Sequence, residues 1–135
     1  MAIKMSVGVR NARLNAIEAT VGTSAVLKIK TGAPPEDCAA ADSGTVLATM
    51  SLPSDWMAAA DAGSKAKEGT WSDASADNAG EAGHFRIYDS GGSTCHLQGT
   101  VTATGNGGDM TLDNINIASA QTVTITAFTL TDGNA

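Results

Sequence analysis

From residue 25 onward the chain repeats one pattern. Apolar and polar residues alternate in short runs, and each run ends in a cluster of Gly, Pro, Asn, Asp or Ser. A period of two places successive side chains on opposite faces of an extended backbone, so this part of the chain is committed to strands. Ala25, Leu27 and Ile29 point one way and Lys28 and Lys30 the other, until Gly32, Pro34 and Pro35 end the run. Residues 45–52 put Val46, Ala48, Met50 and Leu52 on one face. Residues 83–89 put Phe85 and Ile87 inward and His84, Arg86 and Tyr88 outward. After the turn Asp89-Ser90-Gly91-Gly92, residues 94–101 return with Cys95, Leu97 and Val101 inward, which predicts a β-hairpin.

Beyond Asn106-Gly107-Gly108, Met110 and Leu112 face in, followed by Ile115 and Ile117. The last run, 122–130, holds Val123 and Ile125 on one face and slips by one residue at Phe128 and Leu130, the signature of a β-bulge. About seven or eight short strands, with turn signals roughly every eight to twelve residues, predict a mainly β domain spanning 1–135, a β-sandwich or jelly roll. Ahead of it, residues 6–21 predict a helix, with Ser6 as N-cap, Gly22 as the stop, and Val7, Leu14, Ile17 and Val21 near one face. That apolar stripe is narrow, so the helix is expected to lie on a sheet or against a partner.

Residues 53–82 are rich in Ala, Asp, Gly and Ser and predict a long loop, with a short strand near Lys67–Trp71. Trp71 is expected in the core. Trp56 fits either core packing or an interface anchor. The acidic positions Asp73, Asp77 and Glu81 fit a solvated loop or a partner for a basic segment of a neighbouring copy.

Only 16% of the 135 residues are charged, and the charge is uneven. Residues 1–31 carry Lys4, Arg10, Arg13, Lys28 and Lys30 against Glu18, whereas the remainder is strongly acidic. Such polarity suits docking on copies of the same chain or on an oppositely charged partner, and equally suits two differently solvated faces. Net acidity argues against nucleic acid as the main partner. No apolar run follows the N-terminal basic residues and no stretch of 18 apolar residues occurs, so synthesis in a cytoplasm without membrane insertion is expected.

No catalytic constellation emerges. There is no G-x-S-x-G elbow, and Gly105-Asn106-Gly107-Gly108 lies between strands and opens no helix. Alternation sends Cys95 and His96 to opposite faces. His84, His96 and Asp89 could approach one another as metal ligands, but solvent-facing polar positions on paired strands explain them more simply. Asp109 and Asp113 lack the spacing of a calcium loop. The chain is therefore expected to be no enzyme and to need no cofactor or metal. Cys38 and Cys95 match no metal or redox motif. A buried free thiol at Cys95 is the leading reading, and a Cys38–Cys95 disulfide stays open.

Several stretches together resemble a family of small virion structural proteins of tailed bacteriophages. They are the opening helix GVRNARLNAI, the LKIKTGAPP strand and turn, GTVLATMSL, SDASADNAGEAGHFRIYDSGG, LQGTVT, and the closing MTLDNINIASAQTVTITAFTLT. The family patterns are a T-G-x-x-P turn beginning at Thr31-Gly32-Ala33-Pro34, a D-x-S-A-x-x-x-G-x-A-G-x-F-R-I stretch from Asp73 through Ile87, and a G-x-x-V-x-V-x-x-x-x-L-T strand ending at Leu130-Thr131. Cys38, Cys95, His96 and the Ala-rich 57–62 depart from the pattern.

The resemblance implies a capsid cement or decoration protein on the outer surface of the head, bridging major capsid protein subunits. It also implies self-association as a dimer or trimer and location in the virion. Lys4, Arg10, Arg13, Lys28, Lys30 and Trp56 are then the candidate partner-binding residues, with the helix facing the capsid or a sister subunit. A tail, neck or fibre component is the nearer alternative, and a carbohydrate-binding module the more distant one.

Overall fold

The computed structural model describes residues 3–135. Helix α1 (Val7–Val21) is followed by β1 (Val26–Thr31), β2 (Val46–Ser51), β3 (Ser64–Ala66), β4 (Trp71–Asp73), β5 (Gly80–Tyr88), β6 (Cys95–Ala103), β7 (Met110–Leu112), β8 (Asn116–Ile117), β9 (Val123–Ile125) and β10 (Thr129–Thr131). The domain is mainly β with one N-terminal helix, as the alternation predicts. The main sheet runs β2-β1-β5-β6-β7, with β8 on β5, and two small sheets pair β10 with β3 and β4 with β9. The small sheets lie over the apolar face of the large one in a sandwich-like arrangement.

The core is the inward face of the alternation. Leu27, Ile29, Met50, Phe85 and Ile87 from the main sheet meet Trp56, Trp71, Ile125 and Phe128. Phe128 stands edge-on to Phe85 at 5.6 Å, Trp71 lies 5.5 Å from Phe128, and Trp56 lies 6.0 Å from Trp71. Each ring removed from water contributes about 2–3 kcal/mol. Burial alone would strand the indole donors, but Trp56 Nε1 donates to the Gly22 carbonyl and Trp71 Nε1 to the Glu68 carbonyl.

The helix is capped as its sequence dictates. The Ser6 hydroxyl accepts from the Val9 amide, and Gly22 (φ 93°) returns its N–H to the Glu18 carbonyl. Its narrow apolar stripe, of which Leu14 and Val21 are buried, is supplemented by a polar ladder. Asn11 accepts from the Gly63 amide, Asn15 from Ala60 and Glu18 from Met57. Spacings of four and three put these acceptors on one helix face, and they hold the 57–63 backbone, which runs antiparallel to the helix. Lys65, buried, completes the seam with its Nζ 3.0 Å from Glu18 and bonded to Asn15.

Four expectations need correction. The stretch 53–82, expected as a long loop with one short strand near Lys67–Trp71, instead holds β3, β4 and the start of β5. The terminal run does not bulge: it breaks into β9 and β10, which pair with different strands, so the phase slip marks a change of sheet. Bulges occur elsewhere, at Leu47, Gly83 and His96, each the extra residue between paired neighbours. The bulge at His96 rotates Cys95 off the apolar face expected for it and places it opposite Tyr88. Finally, His84, Arg86 and Tyr88 do point away from the core, yet they are buried beneath the 32–44 segment.

The free edge of β2 is bonded from within the chain over Val46–Thr49. Asp73 accepts from the Thr49 amide, the Asp77 amide donates to the Leu47 carbonyl, and the Asn78 side chain donates to the Val46 carbonyl. Asp77 also accepts from the Thr49 hydroxyl. Two of the acidic residues at 73–81 thus serve the chain's own sheet, while Glu81 stays exposed.

Candidate interaction surface

The six residues singled out for partner binding fall into different environments. Lys4 is exposed on the segment leading into α1, and the Met5 amide ties that segment to the C-terminal tail through the Asn134 carbonyl. Arg13 is 56% exposed and pairs with Asp132 at 3.2 Å, while Arg10 is half-buried and donates to the Asp132 carbonyl. The N-terminal helix is therefore fastened to the C-terminus by both arginines. Lys28 is half-buried, its ammonium 5.0 Å above the Tyr88 ring.

Lys30 and Trp56 are corrected. Trp56 is fully buried, so it is core and not a surface anchor. Lys30 is 2% exposed and pairs with Asp42 at 3.2 Å. Its position on the polar side of the alternation was legible, but the segment that folds over that side was not.

That covered face holds a charged network. Arg86 donates from NH1 to Asp42 at 2.6 Å, from NH2 to the Asp37 and Ala40 carbonyls, and from Nε and NH2 to Gln98. The Tyr88 hydroxyl donates to the same Asp42 oxygen at 2.7 Å, and Gln98 donates to the Pro35 carbonyl. Partial burial raises the Asp42 carboxyl, but hydrogen bonds from Tyr88, Arg86 and Lys30 outweigh it and bring its pKa to about 2. Burial, helped by the neighbouring Asp42 carboxylate, pushes the Tyr88 phenol up. The network is a clamp between sheet and loop, with all its members engaged.

The two histidines are not brought together. His84 is buried in β5 with Nδ1 2.9 Å from the Gly32 carbonyl, and burial lowers its pKa. His96 borders a crevice under α1 beside Arg13, Ile17 and Thr20. Among the described residues no group of three or more His, Cys, Asp or Glu could hold a metal ion. Asp109 accepts from the Thr100 amide and hydroxyl and ties β6 to the turn that follows it, and Asp113 accepts from the Thr104 hydroxyl just beyond β6.

The exposed surface is apolar and basic at one end. Ile3, Val7 and Val9 are 81%, 49% and 47% exposed, on the first turns of α1 and the residues before it, next to Lys4. The aromatic side chains, by contrast, are all buried: Trp56, Trp71, Phe85, Tyr88 and Phe128.

Most positions of the pattern from Asp73 to Ile87 have a structural task, Ser75 being exposed. Asp73 holds the Thr49 and Ser75 amides, and Ala76, Ala82, Phe85 and Ile87 are buried. Gly80 packs against Leu47 and Thr31, Gly83 lies against the Gly32 backbone, and Arg86 anchors the clamp. No family model, curated protein or solved structure matches the chain. No helix among the described residues is long and apolar enough to cross a membrane.

Proposed function

We propose that the chain is a cement or decoration protein of a tailed-bacteriophage head, bridging major capsid protein subunits and assembling with copies of itself. The reading rests on the resemblance of its motifs to small virion structural proteins. The observation that carries it is the stretch Asp73–Ile87, most of whose patterned residues serve packing, sheet-edge bonding or the Arg86 clamp. A motif spent mostly on architecture fits a protein whose work is to present a shaped surface and not to turn over a substrate.

The apolar and basic N-terminal end supplies that surface. Ile3, Val7 and Val9 are exposed there, with Lys4 nearby in the chain, and a contact weak in one copy becomes firm when many copies share a lattice. Burial of every aromatic ring removes the stacking platform that a carbohydrate-binding module needs. The reading assigns no catalytic residue and no cofactor.

The test is copy number per purified particle, by quantitative mass spectrometry against the major capsid subunit. A ratio near one, or a simple lattice fraction of it, is expected. A few copies per particle would overturn the cement reading and move the protein to the tail, neck or fibres.

A further inference from the structure

We propose that Cys38 and Cys95 are an oxidative cross-link site, and that their disulfide fastens the 32–44 segment to β6. The bulge at His96 turns Cys95 onto the covered polar face, where its Sγ lies 3.1 Å from the Sγ of Cys38. Both cysteines are free and half-buried. They border a cleft of about 520 Å³, lined also by Ala40, Asp42, Ser93 and Thr94, which admits a small oxidant. The 32–44 segment contributes no strand or helix of its own and is held over the sheet by polar contacts to Arg86 and Gln98. A covalent tie there joins residues 57 apart in the chain.

The chemistry is thiol–disulfide exchange with a low-molecular-weight disulfide such as oxidised glutathione. The Cys38 thiolate attacks one sulfur of the oxidant and expels a thiolate, which takes up a proton. Cys95, after losing its proton to solvent, attacks the Cys38 sulfur and expels the second thiolate. Two protein S–H bonds become one S–S bond, and two electrons and two protons reduce the oxidant to two thiols. Burial, with Cys38 alongside, holds the Cys95 thiol up to about 12, so closure is slow at neutral pH and accelerates as the pH rises. The site stands independently of the capsid reading.

The experiment treats the full chain with oxidised glutathione at mildly alkaline pH and measures free thiols, intact mass and the urea midpoint. Both thiols should disappear with the mass falling by two hydrogens. The midpoint should rise, with a gain on the order of a thousandfold in the folding equilibrium, and reductant should reverse it. Cys38→Ser and Cys95→Ser, treated alike, should show no such rise. Persistence of both thiols in folded protein, glutathione adducts in place of the cross-link, or dimers linked between chains would overturn the proposal. A cross-link that leaves the midpoint unchanged would overturn the fastening role.

Discussion

Replacing Asp42 by Asn removes a negative charge shared by two buried cations. Arg86 and Lys30 are each 2% exposed, and both reach the same carboxylate oxygen, at 2.6 and 3.2 Å. The substitution keeps the volume and an oxygen for the Tyr88 hydroxyl, so the loss is chiefly electrostatic. Stranding a buried charge typically costs ~3–5 kcal/mol. The Asp42 side chain is 48% exposed, however, so water reaches the opened site and screens it. Arg86 also retains its bonds to Gln98 and to the Asp37 and Ala40 carbonyls. The expected cost at neutral pH is therefore about 2–3 kcal/mol, well within the stability of a domain this size.

Urea denaturation of the wild type, Asp42→Asn, Arg86→Met and the double variant measures both the cost and the coupling. The sign with pH follows from the same group. The folded Asp42 pKa of about 2 lies below its ordinary 3.8, so its stabilisation is present above 3.8 and is lost as the pH falls through about 2. The variant should lack that acid-dependent loss. A cost under about 0.5 kcal/mol, the range of ordinary surface changes, together with additive single and double variants, would refute the clamp.

Gly83→Ala should destabilise by about 1–3 kcal/mol, because a Cβ there meets the Gly32 backbone, which has no flexible end to yield; urea midpoints check it. Ala120 sits at φ 66°, a left-handed conformation that costs a non-glycine residue about 1–2 kcal/mol. Ala120→Gly relieves this at some cost in unfolded-state entropy and should stabilise by about 0.5 kcal/mol, seen as a higher melting temperature. His84 is buried with its pKa lowered below 6.5, so the unfolded chain binds more protons as the pH drops past 6.5. Stability present above 6.5 should decline from there downward, and a urea midpoint that stays level or rises between pH 7.5 and 5.5 would contradict it.

Strand content and most of the inward residues, Cys95 excepted, were legible because period-two alternation is a direct imprint of a half-buried sheet. Ser6 and Gly22 marked the helix ends correctly, since capping chemistry is local. What alternation could not show was the second cover. Lys30, His84, Arg86 and Tyr88 were placed on the correct side of their strands, but whether that side meets solvent depends on the distant 32–44 segment. The bulges escaped for a related reason: His96 breaks register with a partner strand, and register is a property of pairs. The role of Asn11, Asn15 and Glu18 did carry a signal in their helical spacing, hidden because attention to periodicity favours apolar residues.

The bonded part of the β2 edge bears on behaviour at high concentration. An open sheet edge at high concentration can recruit sister chains into fibres. With Asp73, Asp77 and Asn78 bonded to β2, the outer row of that strand is occupied from Val46 to the Thr49 amide. A sister strand adding to that part of the edge would first have to displace these bonds.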